Sequence, residues 1–208
     1  MAATSAEFWD RVADRYSKRA IADPETYERK LHSTQALMRP EMKILEFGCG
    51  TGSTALLHAP HVAHVDATDV SAAMVDIGRD KALRAGINNV EFLQAGVDDF
   101  SAPEGSYDMV LALNLLHLLP DHGAALAKCH RLLKPGGFFV STTPCLSDRM
   151  WYLRPVIPLM RWVGMAPPVS FLKASGLEKE ITAAGFETQE QWTHGSTNSL
   201  FLVARKIS

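Results

Sequence analysis

Three glycines at alternate positions, Gly48, Gly50 and Gly52, follow directly on the run Met42-Lys43-Ile44-Leu45-Glu46-Phe47, and this juncture constrains the chain more than any other feature. A short apolar run halted by glycines reads as a buried strand. Glycines placed where such a strand meets its helix permit a tight turn and let backbone approach a ligand closely. The loop is therefore read as the floor of a ligand crevice, with plain chain reversal as the alternative.

Strand and helix patterns alternate on either side of it. Strands are expected over 61–68, 89–94, 107–113 and 137–142, and helices over 71–85 and 122–133, with a helical stretch through Leu56 and Leu57. Two helices come first: Phe8, Trp9, Val12 and Tyr16 recur at helical spacing, and Pro24 opens a second helix carrying Tyr27, Leu31, Leu37 and Met38. After Pro144 come a Pro-interrupted apolar segment, a helix over 177–184, and strands over 187–193 and 199–206 joined by a short turn. The alternation predicts an α/β fold, a doubly wound and mostly parallel sheet with a C-terminal antiparallel hairpin and N-terminal helices.

Composition narrows the partners. With 208 residues and a formal net charge of -2, the chain fits one domain and has no basic excess with which to displace counterions from a nucleic acid. Cys49, Cys129 and Cys145 are odd in number and widely spaced, so neither a disulfide framework nor a zinc site is expected, and a reducing cytoplasm suits them. The charged first helix does not read as a signal peptide. His58, His61 and His64 straddle Pro60 and the start of a strand, a placement that keeps them from converging, and no metal is expected.

The loop itself says what kind of guest it holds. A dinucleotide fingerprint would need a glycine where Ser53 stands, which disfavours nicotinamide and flavin cofactors. Glu46 would sit badly beside a pyrophosphate but suits a ligand carrying a cationic sulfonium and an ammonium group. Asp69, closing the second strand, can accept hydrogen bonds from ribose hydroxyls or can serve the start of the next helix, and both roles coexist if Ser71 is the cap.

These residues together resemble the class I S-adenosylmethionine-dependent methyltransferases. Ile44 to Gly52 looks like the first motif of that family, Ala67 to Ser71 with Met74 like the second, Tyr107 to Leu111 like the fourth, and Leu132 to Gly137 like the fifth. The resemblance implies a Rossmann-like, seven-stranded sheet and S-adenosylmethionine as cofactor. It also implies that Gly48, Gly50 and Gly52 line the methionine moiety, Asp69 the ribose, and Val70 and Met74 the adenine. Asp98 is chosen for the adenine amino group, with Asp99 next to it as the other choice; Cys49, Val97 and Asn114 are counted on the cofactor's side. Trp9 and Tyr16 belong to a helical lid over 1–40, above a cofactor core over 41–143, an acceptor-side insertion over 144–175 and a closing helix and strands over 176–208.

Chemistry is expected after the fourth strand, where His117 can take a proton from an acceptor or can simply pack between leucines. The Asn-Pro-Pro-Tyr motif of relatives that methylate nucleobases or glutamine is absent. Trp151, Tyr152 and Trp162 are expected to line an acceptor pocket, peripheral membrane contact being the alternative for their segment. The expected function is methyl transfer to the oxygen, sulfur or nitrogen of a small apolar or amphiphilic metabolite. A membrane-docked lipid or quinone methyltransferase and a non-catalytic S-adenosylmethionine-binding protein are the alternatives.

Overall fold

The computed structural model describes residues 5–162 and 165–207. One sheet contains β1 (Lys43–Phe47), β2 (His64–Asp69), β3 (Val90–Gln94), β4 (Tyr107–Leu113), β5 (Leu133–Thr143), β6 (Phe186–His194) and β7 (Ser199–Lys206). Their spatial order is β3-β2-β1-β4-β5-β7-β6. Pairing is parallel from β3 across to β5, and β7 runs antiparallel to both β5 and β6. The direction of winding reverses between β1 and β4, which opens a crevice above their carboxyl ends.

The helices are α1 (Ser5–Ser17), α2 (Pro24–Gln35), α3 (Ser53–His58), α4 (Ala72–Ala85), α5 (His122–Leu132), α6 (Leu146–Arg149), α7 (Val156–Trp162) and α8 (Ala174–Ala183). Period-two alternation along the strands divides the apolar side chains into two layers. Leu45, Phe47, Val110 and Phe139 pack with Leu126 of α5 and Ile181 of α8. Ile44, Val65, Met109 and Val140 pack with Ala55 of α3 and Val75 of α4. Both faces of the sheet are thus covered, as the parallel pattern requires.

Helix ends follow local chemistry. Asp23 accepts from Thr26 N at 3.0 Å and Pro24 opens α2, while Ser71 Oγ accepts from Met74 N at 3.1 Å to cap α4. From there α2 bridges distant parts of the sheet: the Arg29 guanidinium lies 3.9 Å over the Trp192 ring on β6, and Tyr27 Oη is 3.1 Å from Thr54 Oγ1 on α3.

Several boundaries differ from the sequence expectation: β5 begins at Leu133 rather than at position 137, α8 begins at Ala174 rather than at position 177, and Leu37 and Met38 lie beyond the end of α2. Pro60 belongs to a 3-10 turn, Ala59–His61, so β2 begins at His64 rather than at position 61. The 144–175 segment contains α6, a 3-10 turn over Trp151–Leu153 and α7 despite its prolines, because each proline falls at a helix start or between helices except Pro158 near the start of α7. The segment is tied down at its base, where Ser147 N donates to Leu172 O at 3.0 Å and Ser170 N donates to His117 O at 2.6 Å. No helix among the described residues is long and apolar enough to cross a membrane.

Candidate active site

The glycine loop leaves β1 with left-handed backbone at Gly48 (φ +65°) and Gly52 (φ +73°). Any side chain there would also collide: a Cβ on Gly48 would lie 2.8 Å from Leu115 Cδ1, and one on Gly52 would enter the Phe92 ring. The loop is pinned from β2. Cys49 N donates to Thr68 O at 2.9 Å, Gly50 N donates to Asp69 Oδ2 at 2.9 Å, and Ser71 N donates to Asp69 Oδ1 at 2.9 Å. Asp69 therefore ties the loop to the start of α4 while Ser71 supplies the cap. Burial raises the Asp69 carboxyl above its ordinary range, against the lowering pull of those backbone N–H groups.

Beneath the loop stands Glu46, 2% exposed, with Oε2 lacking any hydrogen-bond partner. Burial, reinforced by the Asp69 charge, pushes its pKa up to about 8. A buried acid in that condition is stabilised by any cation brought beside it. Nearby, a cavity of about 60 Å³ is lined by Tyr27, Lys30, Thr54, His58, Asn114 and Thr142 among others. That space takes a small polar group, not just one water.

Its walls are under-satisfied. His58 is 1% exposed with Nδ1 unpaired, Thr142 Oγ1 is buried and unpaired, and burial lowers the pKa of Lys30 and brings that of His58 down to about 4. An unpaired acid and a half-buried lysine beside one crevice suit the ammonium and the carboxylate of an α-amino acid. The cationic donor expected from the sequence carries that group next to its sulfonium, so these residues fit it.

The other residues expected on the cofactor's side from the sequence are placed differently from one another. Met74 is buried at 2% and Val70 is half-buried at the start of α4. Asp99 Oδ2 and Val70 Cγ1 converge on Gly96, lying 3.2 and 3.3 Å from where its Cβ would stand. Both acids are exposed; Asp99 reaches toward Val70 across Gly96, and the backbone carbonyl of Asp98 accepts from Lys128 Nζ at 2.8 Å. Val97 is buried in the layer under α5, and Asn114 stands exposed at the tip of β4 with φ +56°.

On α1, Trp9 meets Phe8 and Tyr16 edge-on, and Tyr16 overhangs Gly50, its Cε1 lying 3.9 Å from a Cβ built there. Asp10 Oδ1 accepts from Ser71 Oγ at 2.6 Å and from Ala73 N at 3.1 Å, which latches α1 onto the first turn of α4.

His117 sits in a 3-10 turn, Leu116–Leu118, after β4. It is half-buried with Nδ1 unpaired, and burial brings its pKa down to about 4. Trp151 and Tyr152 do not line a pocket: they stand 66% and 55% exposed, because the 3-10 turn that carries them lies on the outside of its segment. The side chain of Trp162 lies outside the described residues.

The spaced histidines separate, His58 into the cavity wall and His64 to the opposite end of the sheet. There His64, Asp66 and Glu91 bring donor atoms within 4.8 Å of one another. Asp66 already accepts from Lys43 at 2.8 Å, from Tyr107 Oη at 2.6 Å and pairs with His64 at 2.8 Å, so the group reads as an ion-paired network.

With this geometry in place, comparison with known proteins is direct. Residues 44–137 match a family profile described as a methyltransferase domain. Residues 44–137 thus form a methyltransferase domain. The chain is 30% identical over 156 residues to the ubiquinone biosynthesis O-methyltransferase of Saccharophagus degradans, covering 72% of this chain and 65% of that one. It is 35% identical over 111 residues to a ubiquinone/menaquinone biosynthesis C-methyltransferase of Coxiella burnetii, covering 51% and 44%. The chain thus spans less than two thirds of the length of these curated relatives. Among solved structures, the cyclase SpnF superposes with a TM-score of 0.78 at 19% identity, over 99% of this chain and 98% of that one. That likeness carries the fold and not the reaction.

Tyr27, Lys30, Thr54, His58 and Asp10 were not singled out for the site from the sequence. They come from three different helices, and a helix face shows its partner only once the chain is folded.

Proposed function

We propose that the chain transfers a methyl group from S-adenosylmethionine to a small apolar or amphiphilic acceptor. The observation that carries this reading is the unpaired, buried Glu46 beneath a glycine loop pinned by Asp69, with Lys30 facing the neighbouring cavity. The donor supplies an electrophilic methyl on a sulfonium, which leaves as a neutral thioether when an acceptor lone pair forms the new bond. Glu46 holds the ammonium, Lys30 with Tyr27 and Thr54 holds the carboxylate, and Asp69 holds the ribose. Val70 and Met74 flank the adenine, with Asp99 at its edge. Tyr16 and Trp9 close the crevice against water, which strengthens each of these contacts.

His117 receives the acceptor's proton. Burial keeps its imidazole neutral and weakly basic, which suffices, because an O–H or N–H becomes strongly acidic as its heteroatom takes the methyl. The two relatives named for ubiquinone biosynthesis favour a phenolic or quinol-like ring over other acceptors. Incubation with methyl-labelled donor and a lipid extract is expected to give a labelled small molecule. His117→Ala should lower that turnover about 10²-fold with donor affinity kept. Absence of transfer together with absence of donor binding would overturn the reading.

Lys30 has its own test. Lys30→Met should weaken binding of S-adenosylhomocysteine by roughly 1.5–3 kcal/mol, the range for a hydrogen bond to a charged group. Binding of methylthioadenosine, which lacks the amino-acid end, should not change. Equal losses for both ligands, read by calorimetry, would remove Lys30 from the carboxylate site.

A further inference from the structure

Ten large hydrophobic side chains stand exposed among the described residues, and five of them, Trp151, Tyr152, Val156, Leu159 and Met165, lie within one short stretch. Tryptophan exposed to 66% and leucine to 63% on the same segment are costly to keep in water. The charge of the stretch is equally one-sided. Between Asp148 and Glu178 there is no acidic residue, while Arg149, Arg154, Arg161 and Lys173 are basic, in a chain whose net charge is -2. Arg149 is exposed next to Trp151.

We propose that this surface docks on an anionic lipid bilayer and that the methyl acceptor enters from the lipid side. Aromatic residues that seat at a headgroup boundary, aliphatic residues beyond them and basic residues for anionic headgroups are the parts such docking needs. A protein partner would have to be both apolar and acidic at one patch, whereas an anionic bilayer presents both over any area. The covered surface connects mechanically to the chemistry. Ser170 N donates to His117 O at 2.6 Å and Ser170 Oγ donates to Leu119 O at 3.2 Å, so the base of the segment is bonded to the turn that carries His117. An acceptor that leaves the bilayer along this segment reaches its base, where Ser170 is bonded to that turn. The acceptor half of this proposal rests on the methyl-transfer reading; the docking half does not.

The test is co-sedimentation of the full chain with vesicles of phosphatidylcholine alone and of phosphatidylcholine with phosphatidylglycerol, at about 0.1 M salt. Binding to the anionic vesicles alone, weakened by added salt and accompanied by a blue shift of tryptophan emission, is the expected result. Trp151→Ser with Leu159→Ser, and separately Arg149→Glu, should each reduce the bound fraction roughly tenfold. Calorimetric affinity for S-adenosylhomocysteine should stay as in the wild type, which shows that the variants fold and separates a failure of docking from a failure of donor binding. Equal binding to both vesicle types, no binding to either, an unchanged bound fraction in the variants, or self-association through this face seen by light scattering would each overturn the proposal.

Discussion

Glu46→Gln is expected to make the ligand-free protein more stable at pH 8.5 and to cost it the donor. The carboxyl of Glu46 has an ordinary pKa of 4.5 and one of about 8 in the fold, raised chiefly by burial and then by the Asp69 charge. A folded-state pKa raised above the unfolded value means that the folded chain binds the proton more tightly. The associated stability is full below pH 4.5 and is lost as pH rises to about 8. Above that window the folded protein carries a buried, unpaired carboxylate, a penalty on the order of 4 kcal/mol. Glutamine keeps the shape without the ionisation. Its unfolding temperature should exceed that of the wild type by roughly 5–15 °C at pH 8.5 and match it near pH 5.

The same substitution removes the partner of the ammonium, so binding of S-adenosylhomocysteine should weaken about 10²-fold. Wild-type binding at pH 7 should also release close to one proton, seen as a dependence of the calorimetric heat on buffer ionisation; the variant should release none. Thermal melts that differ equally at both pH values would show that packing, and not ionisation, sets the effect.

Asp69→Ala is expected to be the most damaging single change to the site. Both carboxylate oxygens accept backbone N–H groups, Oδ2 from Gly50 and Oδ1 from Ser71, on two sides of the crevice. Alanine leaves both donors unmet and frees the glycine loop from the start of α4. Hydrogen bonds to a charged group contribute about 1.5–3 kcal/mol each, so the loss of two gives a stability loss of about 3–6 kcal/mol and a donor affinity lowered more than 10²-fold. Asp69→Asn is the informative companion. An amide has one acceptor oxygen, and its NH2 would face one of the two backbone donors, so it should fall between alanine and the wild type in both readouts. A folded alanine variant with unchanged affinity would remove Asp69 from the site.

The parallel core was legible in the sequence because its signals are local. A strand ending in alternating glycines, and apolar residues alternating to both faces along β4, need no distant partner to be recognised. Glu46 and Asp69 were legible for the same reason, each standing at the end of a strand whose position the pattern predicts. The latch between Asp10 and Ser71 joins residues far apart in the chain, and nothing at either position announces the other. The cavity under Lys30 and His58 exists only where α2 crosses α3 and the ends of β4 and β5. The turn that carries Asp98 and Asp99 brings Asp99 Oδ2 and Val70 together over Gly96, a placement no local pattern announces. Trp151 and Tyr152 were read as a pocket wall because aromatic content suggests burial. In a segment broken by prolines there is no period to tell inward from outward, and the 3-10 turn leaves both on the surface.

The position of β7 sets how such a chain can be made. It is translated after β6 but lies between β6 and β5. A nascent chain that has completed β5 therefore holds the edge from Phe138 to Thr143 open, a row of unpaired backbone groups beside apolar side chains. The later two strands pair with each other through a short turn, so they can form a local hairpin first and then dock as a unit. On the ribosome, the period of greatest exposure to aggregation is the interval between the emergence of Thr143 and that of Lys206.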